Sequence, residues 1–266
     1  MLQGLRAVFR RGMGGKKPEE QGFTLIEMSI VLAIIGLIVG GILKGQEVVN
    51  NGRLKMQEAQ MDAIKAAVFT FQDQYTYLPG DYPNAQSQLG FTNATSNGDG
   101  NGIIGKPSQT TPSAAILADT DDTNSTESVL AWAHLVAANL MQGVTLPSQT
   151  GLKTVISTTN LSYPGKMSGT FVWLATFSAS SAGISGPMLR LQLPISGALS
   201  TASGQAVREP DAYNIDRKYD DGSPNTGTIL VDSVSDTTNC VSNSSYTLTS
   251  SGSPNTNYCT MLWIVQ

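Results

Sequence analysis

Residues 22–43 read GFTLIEMSIVLAIIGLIVGGIL. From Phe23 to Leu43 the run is apolar apart from a single charge, Glu27, four places after Phe23. A helix rises ~1.5 Å per residue, so about twenty residues cover roughly 30 Å, the hydrocarbon thickness of a bilayer. A lone carboxylate inside such a span costs on the order of 2.5–3.5 kcal/mol. Its presence calls for something that neutralises it, and this acid is the strongest functional clue in the chain.

Working outward, the segment before the run is basic. Residues 1–22 carry Arg6, Arg10, Arg11, Lys16 and Lys17 against Glu19 and Glu20, a net +3, which leaves −7 for the remainder of a chain whose total is −4. Basic flanks stay on the cytoplasmic side, so the N-terminus is expected inside and the acidic bulk outside. A net acidic exterior argues against nucleic-acid binding, which needs clustered Lys and Arg. No second apolar run of the 266-residue sequence is long enough to span a membrane. One span with one sizeable head is the expected organisation.

The order of parts is wrong for a secretory signal. Such a signal runs basic, apolar, then a small-residue cleavage site. Here Leu43 is followed by Lys44, Gly45, Gln46 and Glu47, and the plausible cut, after Gly22, precedes the apolar run. Cleavage there removes the basic arm, keeps the helix, and creates a new amine at Phe23.

The hexapeptide Gly22-Phe23-Thr24-Leu25-Ile26-Glu27, behind a basic leader and ahead of an apolar stem, resembles the type IV pilin-like family, which includes type IV pilins and type II secretion pseudopilins. The resemblance covers residues 1 to about 78. It implies that a prepilin peptidase cuts after Gly22 and N-methylates Phe23. It implies a single-pass precursor in the bacterial inner membrane, with the head in the periplasm. Subunits are then drawn by an inner-membrane assembly platform into a periplasmic or cell-surface filament. The resemblance also implies that Glu27 pairs with the Phe23 amine of a neighbouring pilin subunit. In low dielectric such a pair is strengthened, while either charge alone is penalised. A Glu27 paired with its own Phe23 amine, or with lipid headgroups, is the competing reading. The leader is longer than many in the family, and the stem has Gly36, Gly40, Gly41 and Gly45 where many pilins carry a proline. Those glycines fit either a stem that loosens or close helix–helix approach.

Three regions follow: a leader over 1–22, a stem helix over 23–78 (transmembrane 23–43, amphipathic 44–78), and a head over 79–266. Leu54, Met61, Ile64, Val68, Phe71 and Tyr75 form one helical stripe, with Arg53, Lys55, Glu58, Asp62, Lys65 and Asp73 mostly off it. Leu78-Pro79-Gly80-Asp81 stops the helix. Residues 81–126 read as a long irregular connection. A second helix is expected over Glu127–Met141, after Ser125 and Thr126 and closed by Gln142-Gly143. Strand-like runs lie at Thr170–Phe177, Pro187–Leu193, Thr226–Val234, Ser245–Leu248 and Thr260–Val265. The fold class is therefore α+β, pilin-like: a long helix packed on a β-rich head with an antiparallel sheet. The Ser/Thr-rich stretches 107–126 and 235–257 read as surface loops.

Cys240 and Cys259 are the two cysteines. Outside a bacterial inner membrane they read as one disulfide worth roughly 3 kcal/mol. Two free buried thiols are the alternative.

Asn97, Asp99 and Asn101 place side-chain oxygens at positions 1, 3 and 5 of a calcium-loop pattern, with Gly102 at 6 and Ile104 at 8. Position 12 is Ser108 rather than a bidentate Glu, so a glycine-rich turn stands beside the calcium reading. Asp216, Asp220 and Asp221 could also converge on calcium. They are equally a turn balanced by Arg217 and Lys218, or a dock for a basic side chain of the next subunit. One histidine, His134, sits among apolar neighbours, and no nucleophile-elbow or phosphate-cradling pattern occurs, so an enzyme is not expected. Trp132, Trp173 and Trp263 are expected in the core.

The expected function is that of a structural prepilin subunit, for adhesion, motility or secretion. A minor or tip-located pilin with an adhesive head, and a type II secretion pseudopilin, are the alternatives. The disulfide loop favours a surface pilus and the calcium-like loops favour a pseudopilin.

Overall fold

The structure is a computed structural model that describes residues 23–91, 96–105, 127–142, 163–167, 169–179, 184–193, 206–232, 240–242, 244–247 and 259–265. The leader 1–22 with Gly22, the stretch 107–126, and most of 235–257 lie outside the described residues, as does Ser108. Two compact units are distinguished, Met1–Val49 and Asn50–Gln266.

Helix α1 runs Leu25–Tyr75, close to the expected stem. In the first unit its apolar side chains are exposed from Phe23 (78%) and Leu25 (92%) through Val49 (56%), so no core claims them. This is the one helix among the described residues long and apolar enough to cross a membrane.

In the second unit, Leu54, Met61, Ile64, Val68 and Phe71 are buried, as the stripe predicts. The helix ends with Thr76 at φ +68°, its N–H bonded to Gln72 O at 2.7 Å. Gly80 follows at φ +95°; a Cβ there would lie 2.3 Å from the carbonyl oxygen of Glu127. Only glycine fits both the backbone angle and the gap. A short helix α2 spans Ala85–Gln88.

Helix α3 covers Glu127–Ala137, four residues shorter than expected. It is closed by Asn139 rather than Gln142-Gly143. Asn139 adopts φ +57°, its N–H meets Val136 O at 3.0 Å, and Leu140 N–H meets Leu135 O at 3.0 Å. That is a Schellman closure with asparagine as the left-handed residue.

The sheet holds β1 (Tyr163–Pro164), β2 (Phe171–Ala179), β3 (Ile184–Gln192), β4 (Ile229–Val231) and β7 (Met261–Ile264), in the order β1-β2-β3-β7-β4. Every neighbouring pair is antiparallel. A separate hairpin pairs β5 (Val241–Ser242) with β6 (Ser245–Tyr246). Side chains alternate across a strand. Val172, Leu174, Leu189, Leu191, Ile229, Val231, Met261 and Trp263 therefore join one core with the stripe of α1, while Met188, Leu230, Leu262 and Ile264 form a second cluster. Trp263 sits opposite Leu189 on one side and Ile229 on the other.

Polar groups fix this packing. Gln57 Oε1 accepts the backbone N–H groups of Lys166 and Met167 at 2.7 and 3.3 Å, and Gln60 Nε2 donates to Pro164 O at 2.8 Å. Glu58, expected off the buried stripe, is only 5% exposed and accepts the Trp263 indole N–H at 3.0 Å. The charge-rich stretch around Asp216 differs from the expected simple turn. Helix α4 spans Glu209–Tyr219, with proline in its first turn, Glu209 and Asp211 at its start and Arg217 and Lys218 at its end. Both charge sets complement the helix dipole.

Candidate functional site

At the start of α1, Thr24 occupies the N-cap position and Glu27 the third helical position. Glu27 Oε2 accepts the backbone N–H of Thr24 at 2.8 Å and the Thr24 hydroxyl at 2.7 Å. In return the Glu27 N–H donates to Thr24 Oγ at 3.3 Å. This is a capping box, satisfying donors that a helix start leaves open. The partners expected for Glu27 were the Phe23 amine of a neighbour, its own Phe23 amine or lipid headgroups; the Thr-x-x-Glu spacing is the signal in the sequence for this further one. Phe23 is exposed beside it.

A second constellation lies around residues 97–105. Asp81, Asp99 and Glu127 bring carboxylate oxygens within 4.8 Å of one another. Glu127 is fully buried and accepts Asp99 N–H and Gly105 N–H, each at 3.0 Å. Burial pushes its carboxyl up to about 8, against the pull of those two bonds. Asp81 accepts Asn101 N–H at 3.0 Å and Gly102 N–H at 2.8 Å, and burial raises its carboxyl too. Of the residues expected from spacing, Asn97 gives its carboxamide oxygen to Gln86 N–H at 2.7 Å. Asn101 accepts Ile103 N–H at 2.7 Å and donates to Asp99 at 3.0 Å. Asp81 and Glu127 were not visible as partners of Asp99 in the sequence, because each sits more than fifteen positions away. Chemically these carboxylates fasten the loop to the end of the stem and the start of α3.

His134 is fully buried on α3. Its Nδ1 accepts Gly80 N–H at 2.9 Å, and its Nε2–H donates to Ser96 O at 2.8 Å. Burial pushes the imidazole down to about 4, so the neutral ring acts as a strut.

The third constellation is Asp216, Asp220 and Asp221, again within 4.8 Å. Asp216 accepts Gly222 N–H at 2.9 Å and the Tyr246 hydroxyl at 2.7 Å. Asp220 Oδ2 accepts Thr228 and Ile229 N–H at 2.6 and 2.8 Å. Asp221 accepts Ser223 N–H at 2.8 Å and the Thr226 hydroxyl at 2.5 Å. Burial raises the Asp216 carboxyl to about 6. The three acids thus hold the loop that leads from α4 into β4.

Cys240 and Cys259 form a disulfide with Cα atoms 5.4 Å apart. It ties the start of the β5–β6 hairpin to the residue bridged with Val207, just before β7.

No curated protein and no solved structure matches the chain. Residues 18–43 match the model of the prokaryotic N-terminal methylation motif. That segment contains Gly22, Phe23, Thr24 and Glu27 and continues to Leu43. The chain therefore carries, at the start of its long apolar helix, the N-terminal methylation motif characteristic of the type IV pilin and pseudopilin family.

Proposed function

We propose that this protein is a prepilin, cleaved after Gly22, methylated at Phe23 and polymerised through its stem into a type IV pilus or pseudopilus filament. The observation that carries the reading is the single acid at the head of an exposed apolar helix, directly behind the cleavage sequence. Removing the leader converts Phe23 into an ammonium group beside an apolar surface. A neighbouring stem that supplies Glu27 cancels both charges when the two subunits are in register. We take the role to be structural; His134 is buried inside the head and held there by two hydrogen bonds.

The disulfide in the head supports a domain outside the cytoplasm, in the periplasm or beyond it, where oxidising surroundings let such a cross-link persist. The test is the mass of the subunit from sheared cell-surface material. The expected species begins at Phe23 with one added methyl group and is recovered in fibres. A membrane-bound chain that retains residues 1–22 overturns the reading.

A further inference from the structure

A groove opens on the head between helix α1 and the chain that follows α3. Met56, Ala59 and Ala63 line it from α1, with the buried Ile64 beside them, and Leu140 and Met141 line it from the other side. Its volume is about 430 Å³, near the lower end of the range for small-molecule sites. The sequence makes this room: Ala59 and Ala63 are one helical turn apart and exposed, where longer side chains would fill the space.

The wall opposite α1 is fixed in place. The left-handed Asn139 turns the chain at the end of α3, and the N–H groups of Leu140 and Met141 both donate to Leu135 O, at 3.0 and 3.3 Å. Both side chains pack against the main core, as does Tyr163, whose ring stacks on the buried Trp132 at 5.7 Å. A groove walled by anchored groups needs little ordering when it is filled.

Among the described residues one charge lines the groove, Lys166. Its backbone N–H donates to Gln57 Oε1 at 2.7 Å, which ties the residue to the stem. Its side chain is exposed, and its ammonium group has no carboxylate partner among the described residues. The amide of Gln60 is already committed, donating to Pro164 O at 2.8 Å and accepting from Gln57 Nε2 at 3.2 Å. The chain beyond residue 22 carries a net −7, so an unpaired ammonium group beside an apolar groove is a local reversal of sign.

We propose that this groove binds a free fatty acid, its aliphatic chain lying between the two alanines and Leu140 with Met141, and its carboxylate paired with Lys166. Burial of the chain supplies the affinity, and the unbranched side chains of Met56 and Met141 adapt to its path. Lys166 supplies the choice of sign, since a cationic amphiphile meets a like charge there. A volume of about 430 Å³ suits one chain rather than the two of a phospholipid. The site belongs to the head and is independent of polymerisation through the stem.

The test uses the full-length chain in phosphatidylcholine nanodiscs. The probe is dodecanoic acid with a photoactivatable diazirine near its methyl end, and the labelled peptides are mapped by mass spectrometry. Label is expected on residues 56–64 and 140–142, displaced by unmodified dodecanoate and not by dodecyltrimethylammonium. Shorter carboxylates compete less well, by about fourfold for each buried methylene lost. Ala63→Leu removes most of the label and leaves the thermal unfolding midpoint of the head in place. Lys166→Glu weakens labelling roughly fivefold, the upper scale of an exposed ion pair; Lys166→Arg retains it.

Absence of label from both segments overturns the proposal, as does equal displacement by the two competitors or wild-type labelling of Ala63→Leu or Lys166→Glu. Displacement by phosphatidylglycerol in the disc as complete as that by dodecanoate assigns the groove to a phospholipid and overturns the free acid. Label lost as the number of chains per disc rises assigns it to a second copy, which overturns it too.

Discussion

Glu58 on the stem helix and Trp263 on strand β7 are 205 positions apart, yet the indole N–H of Trp263 donates to Glu58 Oε2 at 3.0 Å. The bond joins the helix to the strand that lies between β3 and β4 in the sheet. Burial raises the Glu58 carboxyl while the indole bond opposes the rise. Glu58→Ala leaves a buried indole N–H without an acceptor, an expected loss of about 1–3 kcal/mol. Glu58→Gln keeps an acceptor oxygen and loses less. Thermal unfolding of the detergent-solubilised chain distinguishes the two; equal melting of wild type and Glu58→Ala refutes the link.

Glu127 sets a pH dependence. Its carboxyl is raised to about 8 in the fold, from about 4.5 when unfolded. Between these values the native state holds a proton that the unfolded state has released, so stability falls as pH rises. His134 acts in the opposite sense, but only between its ordinary 6.5 and about 4. Asp216 titrates near 6. From pH 6.5 to 8 the opposing contribution of His134 is over, and the comparison with Glu127→Gln assigns the share of the decline that belongs to Glu127. Denaturant unfolding across this range is expected to show a declining free energy, by up to about 1.4 kcal/mol per pH unit. The slope should flatten in Glu127→Gln.

The disulfide contributes through the unfolded chain. Cys240 and Cys259 are separated by 19 positions, and closing a loop of that size stabilises by roughly 3 kcal/mol. Paired replacement by serine is expected to lower the melting temperature by roughly 6–12 °C for a domain of this size. An unchanged transition after full reduction would show that the hairpin is held by its packing alone.

Processing and assembly are tested separately at two positions five residues apart, Gly22 and Glu27. Gly22→Ala is expected to leave a full-length precursor in the membrane. Mature-size protein from that variant contradicts cleavage at this site.

Glu27→Ala is expected to insert at least as well as wild type, because a charge leaves the apolar span. It should be cleaved normally and yield few fibres. Fibre recovery at the wild-type level rules out a pairing role for the acid.

The stem was legible because its two signals are local: an uninterrupted apolar run, then a 7, 3, 4, 3, 4 stripe from Leu54 to Tyr75. The five expected strand runs each overlap an observed strand, although β2 continues to Ala179 and β3 begins at Ile184, outside the expected bounds. Helix α4 was missed because only Ala212 and Ile215 among its apolar residues are buried, too few to set a period. Its signals were Pro210 and the charges at its two ends. Strand β1 was missed because two residues carry no alternation; Gln57 and Gln60 hold that segment from the helix. The grouping of Asp81, Asp99 and Glu127 was illegible because it depends on α3 packing beside the stem's end. Sequence spacing showed Asp99 within a glycine-rich loop but not the acids that close it.

The lane occupied by β7 has a consequence for the order of events during synthesis. Strands β3 and β4 are neighbours only through residues 261–264. A nascent chain that has emerged as far as residue 250 holds two hydrogen-bonding borders with nothing between them. Such borders recruit any extended segment nearby. Completion of the sheet is thereby coupled to the arrival of β7, and a chain halted before that point is the form most exposed to mispairing with its siblings.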